Sequence, residues 1–330
     1  MKILVAGGNC AVESLGIIVR ELERSEHLAA YVPTRRIRKA GGLEAAAQAV
    51  TDVLASGWDC LLLWNVKGDL PADFLKRDQV KGKVARAWWT IDDPYLLDTE
   101  NNPHRLAADI VLSCSTQAVE EARVRGQAAE LTYPPVDIGL HDVVLDPELE
   151  DDICVDAHNC YTRDDYPHIL AERREIARAV APLGRLGIWG RWEGSRGWGT
   201  RQYGAPELVN CYRGDVTYAQ MLPVYGSARI SIGSHVRPDA SGYLNQRVSD
   251  VMATGGFLLA DAAKGILEHF TPGVHLDVWH NLDELREKAT YWLAHGSERE
   301  QIALAGRKLV RQQWSSERWV ARLVRLVEGL

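Results

Sequence analysis

The sequence predicts an α/β protein built from two doubly wound, Rossmann-like domains. Two observations carry this expectation. In the first half, short apolar runs alternate with helical periods, the βαβ rhythm of a parallel sheet. The same rhythm restarts after a polar, acidic stretch at 142–152, and 330 residues exceed what one core usually holds. The expected domains are 1–148 and 149–312, followed by a C-terminal helix, 313–330, that packs back on the first domain. Strands are expected at 2–6, 28–31, 60–64, 84–89 and 110–113, with helices at 12–22, 43–55 and 116–125. In the second half, strands are expected at 185–189, 208–212, 228–232 and 257–260. Helices there are expected at 167–181, 218–225, 244–254 and 282–294, and two more, 298–312 and 315–328, close the chain. No repeat of solenoid period occurs.

Composition narrows the class. Apolar residues make up 46% of the chain, ample for buried cores. The longest apolar runs are far too short to span a bilayer. The chain begins directly with a strand and no signal-peptide pattern, so a cytoplasmic protein without membrane contact is expected. The six cysteines form no CxxC pair, and reduced, mostly buried thiols are expected. The net charge of −7 is uneven: residues 1–90 hold 13 Lys and Arg against 10 Asp and Glu, while residues 91–150 hold 3 against 13. The overall balance argues against a nonspecific nucleic-acid binder. Arg35, Arg36, Arg38 and Lys39, with Lys76, Arg77, Lys81, Lys83 and Arg86, are either solvated surface charge or a local basic face.

In doubly wound sheets, ligands bind beyond the carboxyl ends of the strands, so the loops there hold the candidates. Gly7-Gly8-Asn9-Cys10 follows the first strand and is either a tight turn or an anion loop. It is neither a GxGxxG nor a P-loop, so NAD and ATP are not indicated. Trp88 to Pro94 (WWTIDDP) ends another strand. Of its two carboxylates, Asp92 and Asp93, one can cap the helix begun by Pro94 and the other can serve as a general base. His104 and Glu13 are weaker candidates for that base. Trp189-Gly190-Arg191-Trp192 follows a later strand, where an aromatic beside an arginine suits a base and a diphosphate; a core Trp with a surface Arg is the plain alternative. The polar loop 235–241 offers Asp239 and Ser241 to sugar hydroxyls. No HExxH, Cys/His cluster or Asp-x-Asp supports a metal.

The segment 242–259, GYLNQRVSDVMATGGFLL, carries the most information. Arg247 and Asp250 lie three apart on one helical face, before Gly255-Gly256 and an apolar strand. A guanidinium suits phosphate oxygens and a carboxylate suits ribose hydroxyls; an exposed ion pair beside a helix C-cap would give the same spacing. This segment resembles the nucleotide-sugar motif of group-1 glycosyltransferases in its CgeB-like form, Asn-x-Arg-x-x-Glu-x-x-Ala-x-Gly. Here it reads Asn245, Arg247, Asp250, Ala253, Gly255, with Asp250 where the family has Glu. The stretches 88–94, 131–137, 270–273, 282–295 and 302–306 also resemble family segments, so the resemblance covers most of the chain.

The resemblance implies a GT-B glycosyltransferase, with two such domains facing across a cleft. The donor, a nucleoside-diphosphate sugar with UDP favoured, would lie in the C-terminal domain against Arg247, Asp250, Asn245, Gly255 and Gly256. Gly214 and Val216 would read the nucleobase, and Trp189, Arg191, Arg163 and Asp239 would complete the site. The acceptor would lie near Gly8, Asn9 and Trp89, with Asp93 or Asp92 as base. Neither a cofactor nor a metal is expected beyond the donor itself. The acceptor is expected to be a hydroxymethylated pyrimidine of phage DNA or else a glycan, protein or small molecule, and the chain a monomer or dimer. Two alternatives remain open at this point: a nucleotide-sugar epimerase of the same fold, and a non-catalytic nucleotide-sugar binder.

Overall fold

The computed structural model describes residues 1–8, 13–64, 68–91 and 102–330. Asn9, Asp92 and Asp93 lie outside the described residues. The chain divides into two compact units, Met1–Asp137 with Trp314–Leu330, and Ile138–Gln313. The division falls before the acidic stretch, so residues 138–148, placed by the sequence in the first domain, belong to the second unit.

The first unit is built on β1 (Lys2–Gly7), α1 (Glu13–Arg24), β2 (Leu28–Pro33), α2 (Thr34–Leu54), β3 (Cys60–Trp64), β4 (Ala85–Thr90), α3 (Pro103–Ala107), β5 (Ile110–Ser113), α4 (Thr116–Val124) and β6 (Ala128–Leu131). All six strands are parallel, in the order β2-β1-β3-β4-β5-β6. Burial on both faces explains why β3 reads as an unbroken apolar run, Cys-Leu-Leu-Leu-Trp. One face packs Leu4, Leu61, Leu63 and Trp88 against α2 and α4 residues such as Val50 and Val119. The other packs Val5, Leu62 and Trp89 against Ile18 of α1 and Trp319 of the C-terminal helix Ser316–Glu328. Arg24 of α1 donates to Asp137 at 2.8 Å, which ties the end of this stretch to the unit.

The second unit comprises α5 (Ile138–His141), β7 (Ile153–Asp156), α6 (Arg173–Val180), β8 (Leu186–Trp189), β9 (Tyr212–Gly214), α7 (Tyr218–Ser227), β10 (Ile230–Gly233), α8 (Gln246–Thr254), β11 (Leu258–Asp261), α9 (Lys264–His269), β12 (Asp277–Trp279), α10 (Leu282–Ala294) and α11 (Gly296–Gln313). Its six strands are also parallel, ordered β12-β11-β10-β7-β8-β9. The chain winds outward from β7 to β9, then returns across β7 to run outward again from β10 to β12. The switch point therefore lies between the carboxyl ends of β7 and β10, where such sheets open a ligand crevice.

Several elements differ from expectation. The strand expected at 208–212 starts only at Tyr212, because Pro206 opens a short 3-10 turn, Pro206–Cys211. The helix expected at 167–181 shortens to Arg173–Val180, where Glu175 accepts the Glu172 N–H at 2.9 Å and fixes the start. The helix expected at 43–55 is the second part of α2, which begins at Thr34 and breaks at Gly42, whose φ is +86°. The strands β6, β7 and β12 were not expected. Among the described residues, no helix is long and apolar enough to cross a membrane.

Candidate functional site

At the switch point, Asp156 ends β7 and faces α8 and α7. Arg247, in the first turn of α8, reaches the Asp156 carboxylate at 3.4 Å, and the Tyr225 hydroxyl donates to the same oxygen at 2.7 Å. Both charged side chains are mostly buried, 12% and 11% exposed. Burial opposes the Arg247 charge, but Tyr225 and Asp156 hold the guanidinium protonated above its ordinary range. Burial, with Asp156 beside it, pushes the Tyr225 phenol well up, so it remains a donor.

One turn further along α8, Asp250 is 3% exposed. Its Oδ1 accepts from the Tyr218 hydroxyl at 2.8 Å and lies 3.1 Å from His141 Nε2. Burial, then Asp250, raises Tyr218 well above the usual phenol range, and Gln246 Nε2 donates to its oxygen at 3.1 Å. Arg247 and Asp250 do not form the exposed pair that their spacing allowed. Each is invested in a separate buried partner set.

The N-terminus of α8 is left uncapped by its own N-cap residue. Asn245 makes no side-chain cap hydrogen bond; its Nδ2 donates instead to the Ser234 carbonyl, just past β10, at 3.0 Å. The first-turn N–H groups of a helix carry a partial positive charge and seek acceptors. Asn245 Oδ1 and Arg247 Nε are buried here with no partner among the described residues. Buried polar groups in native proteins nearly always find partners. A loop-to-helix start that holds the unused Arg247 Nε donor, at a topological switch point, suits an anionic ligand.

Next to it, His235 and Asp261 form a second pair. Asp261 ends β11; its Oδ2 accepts the His235 backbone N–H at 2.7 Å, and its Oδ1 lies 2.6 Å from His235 Nδ1. Both side chains are at most 2% exposed.

The other sequence candidates are distributed as follows. Gly214, with φ +147°, ends β9, and the side where a Cβ would project is open. Val216 follows it, partly buried. Trp189 ends β8 but is buried, 6% exposed, and its indole nitrogen faces inward against Gly187; it is packing rather than a base platform. Arg191 is exposed after β8. Arg163 is engaged by Glu175 at 2.9 Å and by the Leu170 carbonyl, which removes it from a phosphate role. Asp239 is exposed and paired with Arg237 at 3.0 Å. Ser241 donates to Glu268 at 2.6 Å.

Gly255 and Gly256 require correction. They end α8 at the opposite end of the sheet from the strand carboxyl ends. Gly255, with φ +88°, is the left-handed C-cap, and a Cβ on Gly256 would stand 2.3 Å from the Tyr225 carbonyl. A helix of nine residues separates them from the uncapped end, about 13 Å at about 1.5 Å per residue. They set the helix in place and do not touch a donor there.

In the first unit, Gly8 follows β1, and its carbonyl accepts from the Tyr31 hydroxyl. Trp89 is fully buried between Trp64 and Trp319, at ring distances of 4.1 and 4.2 Å, so it is core and not an acceptor wall. His104 is 2% exposed, and burial lowers its pKa below the ordinary value, which fits a neutral core histidine. Burial also pushes the thiols of Cys60 and Cys160 up to about 12 and about 11, so neither is a nucleophile near neutral pH. Sequence reasoning missed Asp156, Tyr225, Tyr218, His141 and the His235–Asp261 pair. The one available signal was the short apolar run Ile153-Cys154-Val155 ending in the Asp156 carboxylate.

Comparison with known proteins agrees with this fold. Residues 170–325, a little under half the chain, match the family described as glycosyl transferase-like. No curated protein sequence matches. Among solved structures, Anabaena HepE in complex with UDP and glucose aligns over 100% of both chains at 13% identity and TM-score 0.68. The sucrose-phosphate synthase of Thermosynechococcus elongatus does so at 13% identity and TM-score 0.71. The UDP-GlcNAc 2-epimerase of Neisseria meningitidis, bound to UDP-GlcNAc, aligns over 98% of this chain and 100% of that one, at 10% identity and TM-score 0.60. Identities this low show fold alone. The chain therefore has the GT-B fold, and its residues 170–325 are similar to the glycosyl transferase-like family.

Proposed function

We propose that this protein is a glycosyltransferase of the CgeB-like form that moves a sugar from a nucleoside diphosphate, with UDP favoured, to an acceptor hydroxyl. The observation that carries the reading is the start of α8 at the β7/β10 switch point, which the Asn245 side chain does not cap and where the buried Arg247 Nε donor has no partner among the described residues. The diphosphate would lie at the positive end of α8 and take the Nε edge of Arg247. Gly214 and Val216 supply backbone for the base. Asp250 holds Tyr218 in place, and a ribose hydroxyl that binds there shares a carboxylate already engaged by two protein groups.

In the transfer, the bond between the anomeric carbon and the diphosphate oxygen breaks, and its electron pair leaves on the diphosphate. The acceptor oxygen bonds to that carbon and gives its proton to a carboxylate, for which Asp93 or Asp92 is proposed. Arg247 and the helix start stabilise the leaving charge, and no metal is invoked.

For the acceptor we propose a hydroxymethylated pyrimidine in DNA, flipped from its stack. Support comes from the charge of residues 1–90, with 13 Lys and Arg against 10 Asp and Glu; the groove lined by Lys76, Lys81, Arg86 and Arg125 lies at the amino ends of β4 to β6, away from the strand carboxyl ends, and its Arg86 and Arg125 pair with Asp109 and Glu121. Arg35 and Arg38 contribute less, since both pair with the buried Asp69 at 3.2 and 3.0 Å. A second reading, nucleotide-sugar epimerase, is favoured by the likeness to the Neisseria enzyme. Incubation with UDP-sugars alone, then with hydroxymethylated DNA and a panel of glycans and proteins, separates the readings by mass and by sugar analysis. Sugar on DNA is expected. Sugar only on a glycan or protein changes the acceptor, an epimerised donor makes the protein an epimerase, and binding without turnover makes it a binder.

A further inference from the structure

His235 sits two residues beyond β10, and its neighbour Ser234 is the residue whose carbonyl Asn245 holds at the start of α8. Asp261 grips it twice, through the backbone N–H and through Nδ1, at 2.7 and 2.6 Å. That double grip fixes both the position of the loop and the rotation of the ring. The Tyr243 ring meets the imidazole edge-on, with centroids 5.7 Å apart. The remaining ring nitrogen, Nε2, is buried and has no partner among the described residues. A carboxylate on Nδ1 fixes the proton there and leaves Nε2 as the working atom. Leaving such an atom buried and unmatched is costly, and the fold accepts that cost in a loop pinned beside an electropositive helix end.

We propose that His235 Nε2 is a binding group for the diphosphate of the donor, with Asp261 as its positioning residue. This deepens the donor site proposed at the same strand ends and rests on it. The ligand class follows from the surroundings. The loop that carries His235 leaves β10 at the same end of the sheet as the start of α8 and is tied to it through Ser234 and Asn245, with Arg247 in that first turn, so the group suited to this place is an anion rather than a sugar ring or a base. With an anion at Nε2 and Asp261 at Nδ1, the ring takes a second proton on Nε2 as the anion binds, and the resulting imidazolium bridges two negative groups and donates a hydrogen bond to each. No covalent bond forms between His235 and the donor. It takes up charge that develops on the leaving oxygen.

The proposal separates diphosphate recognition from nucleoside recognition, and calorimetric titration reads the two apart. The probes are UDP, GDP, ADP, CDP and dTDP, each beside its parent nucleoside, and the proteins are wild type, His235→Gln and Asp261→Asn. For the diphosphate that binds wild type most tightly, His235→Gln is expected to lose about tenfold or more in affinity, with its nucleoside affinity nearly unchanged. Asp261→Asn, which keeps the ring but loosens it, is expected to lose in the same direction by less. A folded His235→Gln with an unchanged diphosphate-to-nucleoside ratio overturns the proposal and leaves the donor site standing. If His235→Gln does not fold, wild type labelled with ¹⁵N-histidine decides: the diphosphate shifts one imidazole pair that the nucleoside leaves in place, and no such shift overturns the proposal. Wild type that binds none of the diphosphates overturns both the donor site and the role of His235.

Discussion

Arg247 shows how a residue can be read correctly from sequence as chemically important and still be misjudged in its geometry. Its spacing to Asp250 suggested a pair acting together. In the fold it is buried against Asp156 and Tyr225, residues on a strand and a helix that no local pattern links to it. Its removal should therefore act twice. Arg247→Ala is expected to weaken nucleoside-diphosphate binding by about 1.5–3 kcal/mol, the worth of a hydrogen bond to a charged group. It should also destabilise the fold by up to roughly 3–5 kcal/mol, because the buried Asp156 loses its opposite charge and keeps only the Tyr225 hydroxyl. Titration calorimetry and urea unfolding on one preparation measure both, and unchanged affinity in a folded variant removes Arg247 from the site. His104 offers a residue-scale test of pH dependence. Burial lowers its folded pKa below an unfolded value of about 6.5. The folded state then binds fewer protons than the unfolded state near that pH, so stability is full above about 6.5 and declines as pH falls below it. His104→Gln is expected to lose less stability than wild type between about pH 7.5 and pH 5.5, by urea midpoints; equal losses would contradict this.

At the scale of elements, α8 is the piece that positions the site, and its two ends do different work. Its periodicity and Gly-Gly terminus were legible in the sequence, since αL caps and apolar faces are local signals. Its partners were not. β7, the strand that ends in Asp156, follows directly on an acidic stretch that reads as linker, and four residues carry too little period to announce a strand. β9 was displaced because Pro206 turns the chain before it can extend. The division of labour along α8 is testable. Gly255→Ala forces an alanine to φ near +88°, at a cost of about 1–2 kcal/mol, while nucleotide affinity is expected to stay at the wild-type value. Gly256→Ala is expected to cost more, since its Cβ meets the Tyr225 carbonyl. Loss of affinity in a folded Gly255→Ala would return that turn to the donor site.

For the molecule as a whole, the alternation of strands and helices, the restart after an acidic stretch and the motif at 242–259 were enough to reach the two-sheet GT-B fold. Side-chain pairings between distant segments, such as His235 with Asp261 across two strands, were out of reach because nothing in one sequence fixes which strands become neighbours. The acceptor residues Asp92 and Asp93 remain proposals from the sequence. Among the described residues, no group of three or more His, Cys, Asp or Glu side chains is placed to hold a metal ion. The sequence-based expectation that no metal is needed is a separate matter, tested by turnover in EDTA with product measured by mass: persistence is expected, and complete loss restored by Mn²⁺ or Mg²⁺ would overturn it. The central claim is one of place: a nucleoside diphosphate binds at the carboxyl ends of β7 and β10, at the start of α8. Hydrogen–deuterium exchange with and without saturating UDP tests it most directly. Protection is predicted at residues 156–158, 214–218 and 234–249, with little change at 255–258. Protection confined to the first unit, or to the Gly255–Gly256 end of α8, would contradict it.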